Sequence, residues 1–140
     1  MSENFVGFAQ SPKGDPRRKL TKQKFEVELS ADLREVLGSF ATAELYSELL
    51  DKSVRFDFRQ GGKLIFEGAE EYRGTFSQIA IPRSIVLNTE LHGEISFSFR
   101  ALKTGSRVVV ALRRAVLPEE SDQWNLACQK LERNLRVVFS

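Results

Sequence analysis

The chain is short of the residues that most often carry chemistry. Its 140 residues include one cysteine, Cys128, and one histidine, His92. A lone cysteine excludes an intramolecular disulfide and any zinc site built from clustered cysteines, and it fits a reducing compartment. No apolar run approaches the roughly 20 residues that span a bilayer. The N-terminus has no secretory hydrophobic stretch. The expectation is a cytoplasmic protein with no membrane span. Charge of one sign is also scarce: 21 basic and 19 acidic residues leave +2. The excess is concentrated in residues 1–24, where Lys13, Arg17, Arg18, Lys19, Lys22 and Lys24 face only Glu3 and Asp15. A basic leader on a nearly neutral body does not make a nucleic-acid-binding domain, so no nucleic-acid partner is expected.

Phenylalanine is what the chain has in excess, with eleven against two tyrosines and one tryptophan. Phe brings large apolar area and no hydrogen bond. Hydrophobic residues at 41% and charged residues at 29% are ordinary for one globular domain of this length. Residues 1–22 read as a flexible leader, because SPKGDPRRK blocks helix and strand alike. Phe5, Val6 and Phe8 within it are candidates for docking on the body or on a partner. Residues 23–140 read as a single domain.

The most regular stretch is Pro118 to Ser140. Trp124, Ala127, Cys128, Leu131, Leu135 and Val138 recur at helical steps and form one apolar stripe. Glu119, Glu120 and Asp122 at its start and Lys130, Arg133 and Arg136 toward its end suit the helix dipole. Pro118 fits the first turn. Ahead of it, Lys24 to Leu29 alternates as a strand. Ser30 is the expected N-cap of a short helix with Leu33, Val36 and Leu37, which Gly38 stops. A second short helix is expected over Thr42 to Leu50.

From Val54 the period changes to two. Strands are expected around Val54–Phe58, Leu64–Phe66, Glu71–Ile79, Ile85–Leu91, Ile95–Phe99 and Val108–Leu112. Gly61-Gly62 supplies a hairpin turn. Gly74 suggests a bulge. Ile81-Pro82-Arg83 marks a corner. Short turns with no crossover helix give an antiparallel meander and argue against a parallel α/β fold. The long helix must bury its stripe, and the sheet is the only surface on offer.

Three stretches carry a resemblance. Gly61-Gly62-Lys63-Leu64-Ile65-Phe66 is similar to a Gly-Gly-x-aromatic hairpin. Gly74-Thr75-Phe76-Ser77-Gln78-Ile79 runs into Ile81-Pro82-Arg83-Ser84-Ile85-Val86. Gln123-Trp124 opens the last helix. In this order they resemble the family named after the activator of the heat shock protein 90 ATPase, within the helix-grip superfamily of START lipid-transfer and birch-pollen-allergen-like domains. The resemblance covers about residues 24–138. It implies an α+β helix-grip fold, β-α-α-β6-α, with a curved antiparallel sheet around the C-terminal helix. The chain departs from the family at Ala31-Asp32, Leu49-Leu50 and Gln123, where the family often has Pro, Trp and Gly.

The chemistry is sparse. His92 reads as a solvated turn residue and Cys128 as a buried inert thiol. Glu119, Glu120 and Asp122 read as first-turn acids, and Glu70-Glu71 as a turn cluster. Arg100, Arg107, Arg113 and Arg114 form either a basic patch or a solvated sheet face. Phe56, Phe58, Phe66, Phe76, Phe97 and Phe99 share one sheet face, opposite Trp124, Cys128 and Leu131. They make either a plain core or, with Tyr72 and Leu87, an apolar pocket. The resemblance implies a small apolar or amphipathic ligand between sheet and helix, or a chaperone as partner. A cyclase or hydratase would need Tyr72, Thr89 or His92 inside the pocket. No catalytic set, metal or cofactor is expected, and the protein is expected to be a monomer or homodimer.

Overall fold

A computed structural model describes residues 15–67 and 72–139. The leader residues 1–14, with Phe5, Val6 and Phe8, and the Glu70-Glu71 cluster lie outside the described residues. The order of elements is the expected one. β1 (Lys19–Leu29) leads to α1 (Leu33–Ser39) and α2 (Ala43–Leu50). The meander follows as β2 (Ser53–Phe56), β3 (Lys63–Glu67), β4 (Tyr72–Ala80), β5 (Ser84–Thr89), β6 (Gly93–Ala101) and β7 (Ser106–Val116). A single 3-10 turn, Pro118–Glu120, opens α3 (Ser121–Val138).

All neighbours are antiparallel, in a seven-stranded sheet ordered β1-β7-β6-β5-β4-β3-β2. The two short helices carry the chain from one edge of the sheet to the other. α3 lies on the inner face as its pattern requires. Trp124, Cys128, Leu131 and Leu135 share one core with Val27, Ile95, Phe97, Val108, Val110 and Leu112. Alternate residues of β5, β6 and β7 supply that inner face, which is the period-two signal realised.

Several local expectations need correction. The N-cap of α1 is Asp32, not Ser30: its carboxylate accepts the Glu35 N–H at 2.9 Å. α1 runs one residue past Gly38 and is capped by Phe40. β1 starts at Lys19, so residues 19–22 of the expected leader are strand. Their signal is polar. Gln23 bonds Asn125 of α3 at 2.6 Å, and Arg18 bonds Glu120 at 2.9 Å and the Ala115 carbonyl at 3.0 Å. Apolar alternation could not reveal a strand held this way. β2 stops at Phe56, short of Phe58.

The glycines act through space as much as through backbone angle. Gly61 has φ +81, but its neighbour Gly62 does not share that conformation. A Cβ on Gly62 would instead lie 2.0 Å from the Asp57 carbonyl oxygen. The bulge expected at Gly74 falls between Phe76 and Gln78. Gly74 is needed because a Cβ there would lie 2.5 Å from the Asn88 carbonyl on β5.

Candidate functional site

Two different regions meet under α3. The first is aromatic. Phe40 lies edge-on to Phe97 at 4.8 Å and to Phe99 at 4.9 Å. Tyr46 meets Phe76 at 5.7 Å, and Phe56 and Phe58 lean on the same Phe76 ring at 5.6 and 5.3 Å. The Tyr46 hydroxyl donates to the Phe40 carbonyl at 2.7 Å. Burial holds that phenol far above its ordinary titration range. The ring edges fill the space between strands and helices with tilted and T-shaped pairs.

The second region lies where the β5–β6 turn meets the first turns of α3. Here is a cleft of about 340 Å³, lined by Leu49, Leu50, Asp51, Lys52, Leu91, His92, Gln123, Leu126, Ala127 and Lys130. It adjoins a narrow crevice of about 10 Å³ bounded by Leu50, Lys52, Phe66, Thr89, Leu91 and His92. The walls are fixed by named bonds. Asn134 donates to the Leu49 carbonyl at 3.0 Å and to the Asp51 carboxylate at 3.1 Å, which holds the end of α2 against α3. Arg114 donates to the Leu91 carbonyl at 3.1 Å and also approaches Glu120 at 3.6 Å. The Trp124 indole N–H donates to the His92 carbonyl at 2.9 Å.

His92 is therefore not the solvated residue its Gly93 neighbour suggested. It is only 5% exposed. Its N–H donates to the Thr89 hydroxyl oxygen at 2.9 Å, and that hydroxyl also lies 3.3 Å from ring Nδ1. Burial lowers its pKa to about 4, outweighing a hydrogen bond with the Ala127 backbone, and the Arg114 guanidinium pushes the same way as burial. The ring is neutral at pH 7. Alternation through Leu87 and Thr89 to Leu91 would have turned His92 outward, and the one signal for burial was that the only indole in the chain needs an acceptor.

Of the residues assigned to the pocket, Phe66, Phe76, Leu87, Phe97, Phe99, Trp124, Cys128 and Leu131 are buried together in the core. Phe56 and Phe58 sit half-buried at its margin. Phe66 is the one that also borders the crevice. The side chain of Tyr72 lies outside the described residues, although its backbone pairs with Phe66. Cys128 is buried as expected, and burial pushes its thiol up to about 11. Three of the four arginines are paired with acceptors. Arg113 pairs with Glu94 at 3.1 Å and Arg107 with Glu28 at 3.0 Å, while Arg114 is turned to the Leu91 carbonyl and Glu120. Glu120 is more than a first-turn acid: it accepts from the Leu117 N–H at 2.9 Å while holding Arg18. Missed altogether were Phe40, in the connector between α1 and α2, and the wall formed by Leu91, Leu126 and Lys130.

Among the described residues no cluster of metal-ligating side chains occurs, and no helix is long and apolar enough to cross a membrane. No family model and no curated protein matches the chain. Solved structures do. BH1534 of Bacillus halodurans superposes with a TM-score of 0.70 at 12% identity, over 89% of this chain and 99% of that one. The Aha1 dimer of Colwellia psychrerythraea gives 0.66 at 8% identity, over 85% and 96%. The AHSA1-like protein of Aeromonas hydrophila gives 0.61 at 13% identity, over 84% and 94%. The chain thus has the α+β helix-grip fold of the AHSA1-like proteins, as its three sequence stretches implied.

Proposed function

We propose that this is a non-enzymatic binding domain that holds a small apolar or amphipathic molecule in the cleft between α2, the β5–β6 turn and α3. The observation that carries this reading is the cleft itself. Its volume of about 340 Å³ falls at the lower end of the roughly 300–1,000 Å³ of ligand sites. Leu49, Leu50, Leu91, Leu126 and Ala127 give it apolar walls, and Lys52, Lys130, Asp51 and Gln123 give it a polar rim. The phenylalanines behind it act as a rigid support, with Phe66 at the inner end. Such a site takes an apolar body and leaves a polar head near water. Native mass spectrometry and melting shifts against medium-chain acids, alcohols and aromatic acids test this. A one-to-one adduct is expected, together with an upward melting shift. Gln123→Trp, which fills the cleft from an exposed position, should abolish both. A panel in which nothing binds the unsubstituted protein rejects the reading.

A second reading, a chaperone-associated interaction module, is supported by the fold shared with the AHSA1-like and Aha1 proteins. Both readings fit a cytoplasmic protein. Affinity capture from its own cells decides the second: the chaperone must be enriched repeatedly, and its consistent absence removes that role.

A further inference from the structure

We infer that the Phe5-Val6-Gly7-Phe8 stretch of this same chain docks on the α3 wall of the cleft, over Leu126. Leu126 is 54% exposed, an unusual position for a large apolar side chain on an amphipathic helix. Leu20, Ile81 and Val137 are comparably exposed, but none of them borders either depression. Leu126 does, beside Leu50, Leu91 and Ala127. A concave apolar surface with an exposed leucine at its lip is a place for a second apolar group.

The entry point of the leader selects the occupant. Glu119, Gln123, Leu126 and Lys130 follow at steps of four, three and four, so they form one stripe from the 3-10 turn down α3. The described chain begins at the head of that stripe. Asp15 holds Arg17 at 3.0 Å, and Arg17 reaches Glu119 at 3.5 Å. Arg18 beside it is held by Glu120 at 2.9 Å. From Glu119 to Leu126 the helical rise is about 10 Å. The seven residues from Phe8 to Asp15 span up to about 24 Å when extended. Phe5 and Phe8 both have the reach, and with Val6 they are apolar side chains of the kind the lip lacks. The docking needs the cleft but not the small-molecule reading proposed above.

The test is a pair of full-length variants followed by backbone amide NMR. Phe5→Ser/Phe8→Ser should shift the amides of Gln123, Leu126, Ala127 and Lys130, by the same amount in dilute and concentrated samples. Leu126→Asp should shift residues 5–8 in return. Leu126 is exposed and stands outside the core, and an unchanged melting temperature for each variant shows that both report on a folded body. Shifts confined to residues 1–18 overturn the proposal. Cleft shifts that grow with protein concentration also overturn it, since they would mean that the leader of a second copy is the occupant. No ligand enters the experiment, so a failed ligand panel and a failed docking are separate results.

Discussion

The two regions beneath α3 are built from the same kinds of elements and end in opposite states. On the Phe40 side, the space between strands and helices is closed by ring edges, and Phe76, Phe97 and Tyr46 are sealed from water. On the His92 side, the walls are leucines and a small Ala127, and a cleft of about 340 Å³ stays open. The difference lies in side-chain reach. Aromatic residues fill the space on the first side, whereas on the second Leu50, Leu91 and the exposed Leu126 leave a cleft between them. A plain core and an open site thus coexist in one fold.

Five variants sharpen or break that contrast. Phe76→Ala on the filled side and Trp124→Ala over the β5–β6 turn should each lose about 3–5 kcal/mol in denaturant melts. A loss well below 1 kcal/mol at either would mean that the side chain is not sealed as described. The buried imidazole gives the next effect. His92 has its folded pKa lowered to about 4, against about 6.5 in the unfolded chain. The unfolded state therefore binds the proton first. The stability this provides is complete above pH 6.5 and is lost as pH falls toward 4, by about 3 kcal/mol in all. His92→Gln should flatten that segment of the pH–stability curve, and an unchanged slope would show that the ring is not protected. Tyr46→Phe keeps the ring contacts and removes one buried hydrogen bond, so about 1 kcal/mol should go. Leu126→Ala at the open lip should change stability by less than about 0.5 kcal/mol. A larger loss there would make the cleft part of the core.

What the sequence revealed follows from which forces leave a periodic trace. The stripe from Trp124 to Leu135 and the alternation in β5, β6 and β7 are hydrophobic patterns, and those elements were legible. The first residues of β1 were not, because Gln23 and the preceding Arg18 are held by Asn125 and Glu120, partners roughly a hundred residues away. His92 was misread for a related reason: a turn beside a glycine is ordinarily wet, but here the Trp124 indole and Arg114 strap its backbone under the helix. The phenylalanines left core and pocket open as alternatives, because the same inward face serves both. Cleft or no cleft depends on which neighbours stand opposite, and Leu91, Leu126 and Lys130 come together only once the chain has folded.

The pairing of β1 with β7 joins Lys19 to Val116 and Leu29 to Ser106 along the whole edge. A ribosome must therefore release most of the polypeptide before the opening strand finds its neighbour. Until then β1 is an unpaired edge that invites foreign strands. Its three lysines, Lys19, Lys22 and Lys24, lie on that edge, and their repulsion guards the nascent chain against self-adhesion. Ladders of such long sequence separation form slowly, so maturation of this domain should be timed by the end of its own synthesis.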